Sequence, residues 1–375
     1  VNNDDDDSKA APQVDCSDNI VNGVEDVADL AELVIRSIPA LPTGWKAILS
    51  VPSSDAEHIR IFDGRITTAT ARIGPAGSGL SHEYEIPDVS SNLTYGIEAT
   101  EYASTTYSGT TTVSFIVKRA DNFEFASDGV KLKVAPFLLL PSTRPAEKIH
   151  VLDADTNFVA QLKTAVGASK VVEVPSATYP DVWVQDEVEI GYIQRPTNAT
   201  MPVAWNLPRL DEIGNPRPLD AWPPSNLRGS NSGYFAGGTG ASGAEYGGNM
   251  ECTPPVTVGG TEYKFGRAMV STDMHSSLTG FLEAQGIQAP LLTLDVSWLL
   301  VGHVDEVVAF VPAGSGFKVL IADTDCAIDL LKNLNIDDAG TASSGTSNVL
   351  VDTSQSWTPN QWQDGFVRIT AGTGS

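Results

Sequence analysis

The segment Val182-Trp-Val-Gln-Asp-Glu-Val-Glu-Ile-Gly-Tyr-Ile193 sets acidic side chains into an apolar run. Read as one strand, its side chains alternate between faces. Val182, Val184, Asp186, Val188, Ile190 and Tyr192 then share a face on which Asp186 is the lone carboxylate. A buried carboxylate is costly unless it is paired or hydrogen-bonded, so Asp186 is a candidate acid offered to a pocket. Gln185, Glu187 and Glu189 fall on the opposite face, and three oxygen donors in a row suit a hard cation. The competing reading is a strand end returning to solvent. A second apolar segment, Leu299 to Val311, carries His303 and Asp305 two residues apart, hence on one face of a strand. Histidine titrates near neutrality and so suits proton transfer. A structural His–Asp pair is the plain alternative. Zinc is the weaker one, because the pattern lacks HExxH or further spaced His or Cys ligands.

A third group lies at the start of the chain. Asp4, Asp5, Asp6, Asp7, Asp15, Asp18, Asp26 and Asp29, with Glu25, stand against Lys9 alone. An EF-hand is excluded: counting from Asp4, the sixth position is Lys9 where the loop needs Gly, and the twelfth is Asp15 where it needs Glu. A solvated acidic tail is the ordinary reading of such a run. Against it, apolar Val14, Ile20, Val21 and Val24 interrupt the acids. Burying them would bring together carboxylates whose repulsion calls for a cation.

These groups need elements to hold them. From Trp45 to Val134 the chain alternates short β-type runs (Trp45–Val51, His58–Phe62, Thr94–Ala99, Thr111–Val117, Val130–Val134) with Gly, Ser, Asp and Pro clusters. Such a pattern predicts a β-sandwich. Past Pro136 the pattern becomes mixed α/β. Phe158, Leu162 and Val166 follow Thr156, a predicted N-cap, at helical spacing, and Met274, Leu278, Phe281 and Leu282 precede Gly286, a predicted helix stop. Val171–Val174, Val182–Ile193, Val256–Phe265, Leu299–Val311 and Phe317–Ile321 read as strands, and Ser225–Gly248 as a long surface loop. The organisation expected is residues 1–134, residues 135–340, and a Ser/Thr/Gly tail over 341–375 in which Trp357 and Trp362 have no evident packing role.

The overall charge bounds the partners. With 23 Lys+Arg against 47 Asp+Glu the net charge is −24, which removes the attraction of phosphate backbones and argues against nucleic-acid binding. No run approaches the roughly 20 apolar residues of a membrane helix. Cys16, Cys252 and Cys326 are scattered and without CxxC spacing, as expected of a chain from a reducing, cytoplasmic compartment. Beginning at Val1 and stopping in Gly/Thr/Ser, the chain reads as a fragment or processed product.

The motifs resemble those of the peptidyl-arginine deiminases, calcium-dependent enzymes that hydrolyse protein-bound arginine to citrulline. Trp183-Val-Gln-Asp-Glu-Val-Glu-Ile-Gly-Tyr192 resembles the family's WxQDExExGY segment, Gly248-Asn-Met-Glu-Cys-Thr-Pro-Pro-Val-Thr257 its GNLEVSPPVT segment, and Val301-Gly-His-Val-Asp-Glu306 its VGHVDE segment. Val1 to Asp6 and Asp15 to Asp18 resemble the start of its central immunoglobulin-like domain, and Val134 to Phe137 the opening of its deiminase domain. The likeness runs to about Asn335. It implies an immunoglobulin-like β-sandwich followed by an α/β propeller (pentein) domain that is incomplete at its C-terminus.

The resemblance also implies roles. Asp186 and Asp305 would grip the substrate guanidinium, His303 would protonate departing ammonia and then activate water, Trp183 would pack along the arginine side chain, and Arg209 would contact the substrate peptide. The second arginine of that pair is replaced near Asp211. Calcium ligands carry over to Gln185, Glu189, Gly247, Met250 and Glu251, with Gly247 in place of the family's usual Phe and acting, like Met250, through its carbonyl. Asn2, Asp4, Asp6, Asp15, Asp18, Asp26 and Asp29 match further calcium sites. The partners implied are arginine-containing proteins or peptides. The family's nucleophilic cysteine lies well over a hundred residues beyond the HVD segment, whereas only 375 − 305 = 70 residues follow Asp305 here. Cys326 matches a non-catalytic position, so the chain is read as lacking its nucleophile. A small-molecule guanidino hydrolase or amidinotransferase, and a non-catalytic calcium- or arginine-peptide-binding homologue, remain the alternatives.

Overall fold

In the computed structural model, which describes residues 1–196, 198–240, 242–333, 341–346, 349–354 and 356, the β-type runs of the first third pair into two antiparallel sheets. The strands are β1 (Ala31–Ile35), β2 (Lys46–Ser50), β3 (Ile59–Phe62), β4 (Ala71–Ile73), β5 (Glu83–Ile86), β6 (Leu93–Ala99), β7 (Thr110–Lys118) and β8 (Glu124–Lys133); β2, β3, β6 and β7 follow the expected runs closely, β8 starts six residues earlier than its run, and β1, β4 and β5 are additional. They form the sheets β1-β6-β3-β4 and β5-β2-β7-β8. Ile61, Ile73 and Ile97 of the first sheet and Leu49, Ile86 and Val113 of the second share one apolar core. Period-2 alternation is plain in β4, where Ala71 and Ile73 are buried and Arg72 is exposed, whereas β3 is buried throughout and β8 almost wholly exposed. Two short helices, α1 (Val24–Asp29) and α2 (Ser53–Ala56), decorate the sandwich.

The mixed region holds several small sheets instead of one large one, and no closed barrel forms among the described residues. Its strands are β9 (Leu138–Leu139), β10 (Ile149–Leu152), β11 (Val171–Val174), β12 (Val188–Gln194), β13 (Thr200–Asn206), β14 (Gly233–Ala236), β15 (Met250–Cys252), β16 (Val256–Val258), β17 (Thr261–Tyr263), β18 (Ala268–Ser271), β19 (Leu292–Leu294), β20 (Val308–Ala313) and β21 (Gly316–Ile321). The sheets are β9-β12-β13-β14, β10-β11, β15-β18-β19, β16-β17 and β20-β21. Helices α3 (Thr156–Val166), α4 (Val184–Glu187), α5 (Trp222–Asn226) and α6 (Ser276–Gln285) join them. The core between β13, β14, β15, β18 and α6 is rich in aromatics: Trp205 stacks on Phe235 at 5.4 Å between centroids, and Tyr102 from beyond β6 packs against Phe235 at 5.0 Å.

Helices α3 and α6 sit where their periodicity put them. Helix α6 ends at Gly286, whose φ of +74° is the left-handed stop that glycine accepts without strain. Helix α3 is capped one residue earlier than expected: the Asp155 carboxylate, not Thr156, accepts the amides of Asn157 and Phe158.

Four expectations fail, each for a local reason. Val182–Ile193 is not one strand: Val184–Glu187 is a helical turn, and only residues from Val188 onward join β12. The turn is too short to reveal a 3.6 period, and it is held from outside, Leu207 donating its amide to the Glu187 carbonyl. Leu299–Val311 is likewise not a buried strand. Leu300 is fully exposed, Gly302 takes φ +81°, and residues 304–306 make a 3-10 turn into which Glu306 accepts the His303 amide. Val256–Phe265 is a hairpin, broken at Gly259 and Gly260 with φ of +58° and +85°. Ser225–Gly248 contains strand β14 and ends in buried Gly247 and Gly248, so it is not simply a surface loop.

By contacts the chain divides into Val1–Ile321 and Ala322–Ser375. The second unit contains α7 (Thr324–Asn333) and the antiparallel pair β22 (Ser344–Thr346) and β23 (Val349–Val351). Trp357 and Trp362 lie outside the described residues. No helix among the described residues is long and apolar enough to cross a membrane.

Candidate functional site

Three side chains converge on one glycine. Asp186 projects from α4, and His303 and Asp305 come from the 3-10 turn before β20. Between them lies Gly248, in the turn that leads into β15. A methyl group on Gly248 would stand 2.7 Å from His303 Nδ1 and 2.9 Å from both Asp186 Oδ1 and Asp305 Oδ2. Only a residue without Cβ lets these groups meet. The Gly248 amide donates to Asp186 Oδ1 at 3.3 Å, and His303 Nδ1 lies 3.5 Å from the same oxygen. The other ring nitrogen, Nε2, is 3.0 Å from the Gly243 carbonyl. A carbonyl only accepts, so Nε2 carries the proton and Nδ1 faces the carboxylates.

The site therefore pairs two carboxylates with an imidazole around a small gap. Burial raises the Asp305 carboxyl, opposed by His303 and reinforced by Asp186. Behind it the acids continue. Burial and then the charge of Asp305 push Glu251 up to about 7, and burial with the charge of Glu251 lifts Glu189 well above the ordinary carboxylate range. The Asp186 and His303 pair is thus the front of a carboxylate row short of positive charge. Glu189 and Glu251 come together from β12 and β15, and Met250 is buried beside Glu251. Gly247 lies against α4, where a Cβ would come 2.0 Å from the Gln185 carbonyl; that contact accounts for glycine here. The Gln185 side chain is exposed. The opposite-face argument linking Gln185, Glu187 and Glu189 is corrected by α4: Glu187 is fully buried, away from solvent-facing Gln185.

Trp183 stands immediately before α4, and Arg209 is tied to it. Trp183 is 59% exposed, and its amide is held by Asp181 Oδ1 at 3.0 Å. Arg209, 3% exposed, spends its donors inward: on Asp181 at 3.1 Å and on the Trp183 carbonyl at 3.2 Å, with Glu187 at 3.9 Å. Its guanidinium also lies 5.1 Å from the centre of the Tyr246 ring, which stands edge-on to His303. Arg209 thus fixes the loop that presents Trp183. Burial and Asp220 push Glu187 up to about 9, with Arg209 opposing.

The acidic start of the chain folds onto itself and the sandwich. Ligand atoms of Asp4, Asp6 and Asp15 lie within 4.8 Å of one another, as do those of Asp5, Asp7 and Asp15. Asp4 is fully buried, its Oδ1 without a hydrogen-bond partner. Burial, with Asp29 and Asp6 nearby, pushes it up to about 7; burial does the same for Asp15, and leaves Asp29 at about 6. Asn2 donates to Asp26 at 2.8 Å and to Glu98 at 3.0 Å, Asp29 pairs with Arg195 at 3.1 Å, and Asp18 lies at the edge against Lys9. The apolar residues do draw the acids together: Val21 is buried, and Val14 packs on a second core, although Ile20 and Val24 stay exposed. A buried orphan carboxylate oxygen beside two more carboxylates fits a divalent cation.

The other residues of the site carried no signal readable from spacing. Gly248 and the Gly243 carbonyl lie in the Gly-rich run, but their part depends on α4 and the His303 turn. The cation contacts of Asp5 come from Arg228, 3.1 Å away in space and far along the chain. Two thiols are unsuited to nucleophilic chemistry: burial pushes Cys16 and Cys252 up to about 12, helped by Glu98 at the first and by Glu189 and Glu251 at the second.

Comparison with known proteins places the chain in a family. Residues 124–361 match the family model for protein-arginine deiminase, and residues 1–118 match the model for the protein-arginine deiminase middle domain. The chain is 31% identical over 346 residues to protein-arginine deiminase type-4 of Homo sapiens, covering 84% of this chain and 51% of that protein. It is 31% identical over 362 residues to type-3 of Homo sapiens (88% and 53%) and 28% identical over 365 residues to type-1 of Homo sapiens (88% and 53%). The chain spans about half the length of the curated relatives it matches. With two family models laid end to end along its described core, the chain belongs to the protein-arginine deiminase family.

Proposed function

We propose that this chain carries the guanidinium-recognition and proton-transfer half of a calcium-dependent deiminase that converts arginine in proteins or peptides to citrulline and ammonia. The observation that carries the reading is the meeting of Asp186, His303 and Asp305 around Gly248. Two carboxylates match a planar cation with paired N–H donors and hold it by charge-assisted bonds. Trp183, exposed at the rim, packs along the aliphatic stem. Arg209 is committed to Asp181 and the Trp183 carbonyl, so its part is to position Trp183 and not to touch the peptide.

In the covalent route a thiolate attacks the guanidinium carbon, His303 protonates the departing amine as ammonia, and the neutral imidazole then takes a proton from the water that cleaves the thiouronium and frees the thiolate. Burial holds Cys16 and Cys252 as thiols and Cys326 matches a non-catalytic position of the family, so on this reading none of the three supplies the thiolate. Calcium, when bound, would neutralise the carboxylate rows and so order the segments that bear Asp186 and Gly248. Glu189 and Glu251, with the carbonyls of Gly247 and Met250 and the Gln185 side chain, would hold it behind the site. Asn2, Asp4, Asp6, Asp15, Asp18, Asp26 and Asp29 would hold further ions at the start of the chain. The sandwich is read as immunoglobulin-like, and the region after it as part of a propeller-type deiminase domain.

Calorimetric titration with benzoyl-arginine amide and with free arginine, each in calcium and in chelator, tests the reading. Tighter calcium-dependent binding of the blocked arginine is expected. Preference for free arginine would favour a small-molecule guanidino enzyme, and absence of binding by either would remove the guanidinium site.

A further inference from the structure

The acidic start of the chain divides into two carboxylate triads that share Asp15: Asp4–Asp6–Asp15 and Asp5–Asp7–Asp15. The protein's own cations serve them unequally. Arg228 pairs with Asp5 at 3.1 Å and donates to the carbonyls of Lys9, at 2.7 Å, and of Gln13. This clamps the loop between the two triads and fixes the root of Lys9. The Lys9 ammonium then lies against Asp7, against Asp15 at 3.4 Å and against Asp18 at 3.2 Å. Its side chain is only 9% exposed, although lysine is among the residues least often buried. The Asn22 amide adds neutral donors to the same Asp7 and Asp18 oxygens, at 2.9 and 3.2 Å.

The other triad has a neutral donor, the Asn231 amide on Asp4 Oδ2 at 3.1 Å, but no such cation. Among the described residues no Lys, Arg or His nitrogen lies within 4.0 Å of Asp4 or Asp6. Asp4 Oδ1 is buried and unpartnered. One triad thus holds two positive side chains for three carboxylates, while its neighbour holds none beyond the share of Asp15 that Lys9 already takes.

We infer that the Lys9 ammonium is a built-in cation that occupies the Asp5–Asp7–Asp15 triad in place of a divalent ion, so that of these two triads it is Asp4–Asp6–Asp15 that takes exchangeable metal. The inference rests on the calcium reading above and goes beyond it, since it assigns one fewer ion to the segment than its count of carboxylates invites. A tethered ammonium cannot dissociate, so this half of the segment stays folded when calcium is low. A divalent ion could enter only by expelling Lys9, breaking three ion pairs and exposing the stem.

Equilibrium dialysis with calcium gives the number of ions bound per chain for the unmodified chain, Lys9→Met and Lys9→Arg, with melts of each in chelator. The expected result is one additional ion in Lys9→Met, a lower melting temperature for it in chelator, recovery of that loss in calcium, and an unchanged count in Lys9→Arg. An unchanged count in folded Lys9→Met overturns the inference while leaving calcium binding intact. No calcium bound by the unmodified chain overturns the calcium reading along with it. Amine acetylation of the unmodified chain, read by mass spectrometry, gives a check that needs no variant: Lys9 is expected to stay unlabelled at saturating calcium, and labelling that appears on adding calcium overturns the inference.

Discussion

His303 Nδ1 faces Asp186 Oδ1 across 3.5 Å, while Nε2 is tied to the Gly243 carbonyl at 3.0 Å. The ring is therefore oriented from behind and presents its free nitrogen to the gap that Gly248 keeps open. An imidazole held this way can take up or release a proton at Nδ1 without turning.

Gly248→Ala tests that gap directly. Its methyl would stand within 3.0 Å of three site groups at once. Overpacking of this kind costs about 1–3 kcal/mol, so a lower melting temperature and loss of arginine-amide binding are expected. Gly77→Ala, where a Cβ meets nothing within 4 Å, is the control and should change neither. Retained binding in Gly248→Ala would show that the three groups do not act around this point.

Metal and pH should be linked with opposite slopes. In the metal-free chain Asp4, Asp15 and Glu251 at about 7, and Asp29 at about 6, lie above the unfolded carboxylate value of about 4. Between those limits the folded state binds more protons than the unfolded one, so stability falls as pH rises through this window and stays low above it. On the proposed reading, calcium would replace those protons. In chelator the melting temperature should fall by several degrees from pH 4 to pH 8, and the stabilisation by calcium should grow over the same range. A flat profile in chelator, or calcium stabilisation equal at both ends, would contradict the shared carboxylate sites.

Arg209 should matter for folding before it matters for binding. Replacing it with Met leaves buried Asp181 with only Arg217, 3.9 Å away, as a cation, and breaking a buried pair in this way costs about 3–5 kcal/mol. A large drop in melting temperature is expected. A melting temperature within a degree or two of the parent, with binding lost, would return Arg209 to a direct role in substrate contact.

The thiols give a simple check on the nucleophile. Cys16 and Cys252 are buried and Cys326 is exposed, so Ellman's reagent should titrate one thiol per native chain and three after denaturation. Rapid modification of Cys252 in the native chain would reopen its candidacy.

How much of this was legible in the sequence depends on scale. Helix α6 could be read because ten residues display a full 3.6-residue period and Gly286 marks the stop. Strands β2, β3, β6 and β7 of the sandwich could be read because each has one face toward Leu49, Ile61 and their neighbours. Helix α4 and the turn at residues 304–306 could not. Three or four residues show no period, and what bends them lies elsewhere in the chain: the Leu207 amide on the Glu187 carbonyl for the one, and the Glu306 carboxylate on the His303 amide for the other. Strand alternation named Asp186, His303 and Asp305 as chemically loaded, yet the local conformations it assumed were wrong. The resemblance carried the same residues by their motifs, independent of backbone shape. Lys9 stood out only as the single cation among acids, and Arg228 not at all, because its contacts span more than two hundred residues of chain.

The most direct test of the proposed guanidinium site is the affinity of benzoyl-arginine amide, in saturating calcium, for the unmodified chain, Asp186→Asn and Asp305→Asn. Each substitution removes one charged acceptor while keeping its shape. A charge-assisted hydrogen bond contributes about 1.5–3 kcal/mol, which is roughly 10- to 100-fold in affinity. Losses of that size in both variants, with unchanged melting temperatures, are the predicted result. Equal affinity in all three proteins would contradict the account, because the two carboxylates would then not be what holds the guanidinium.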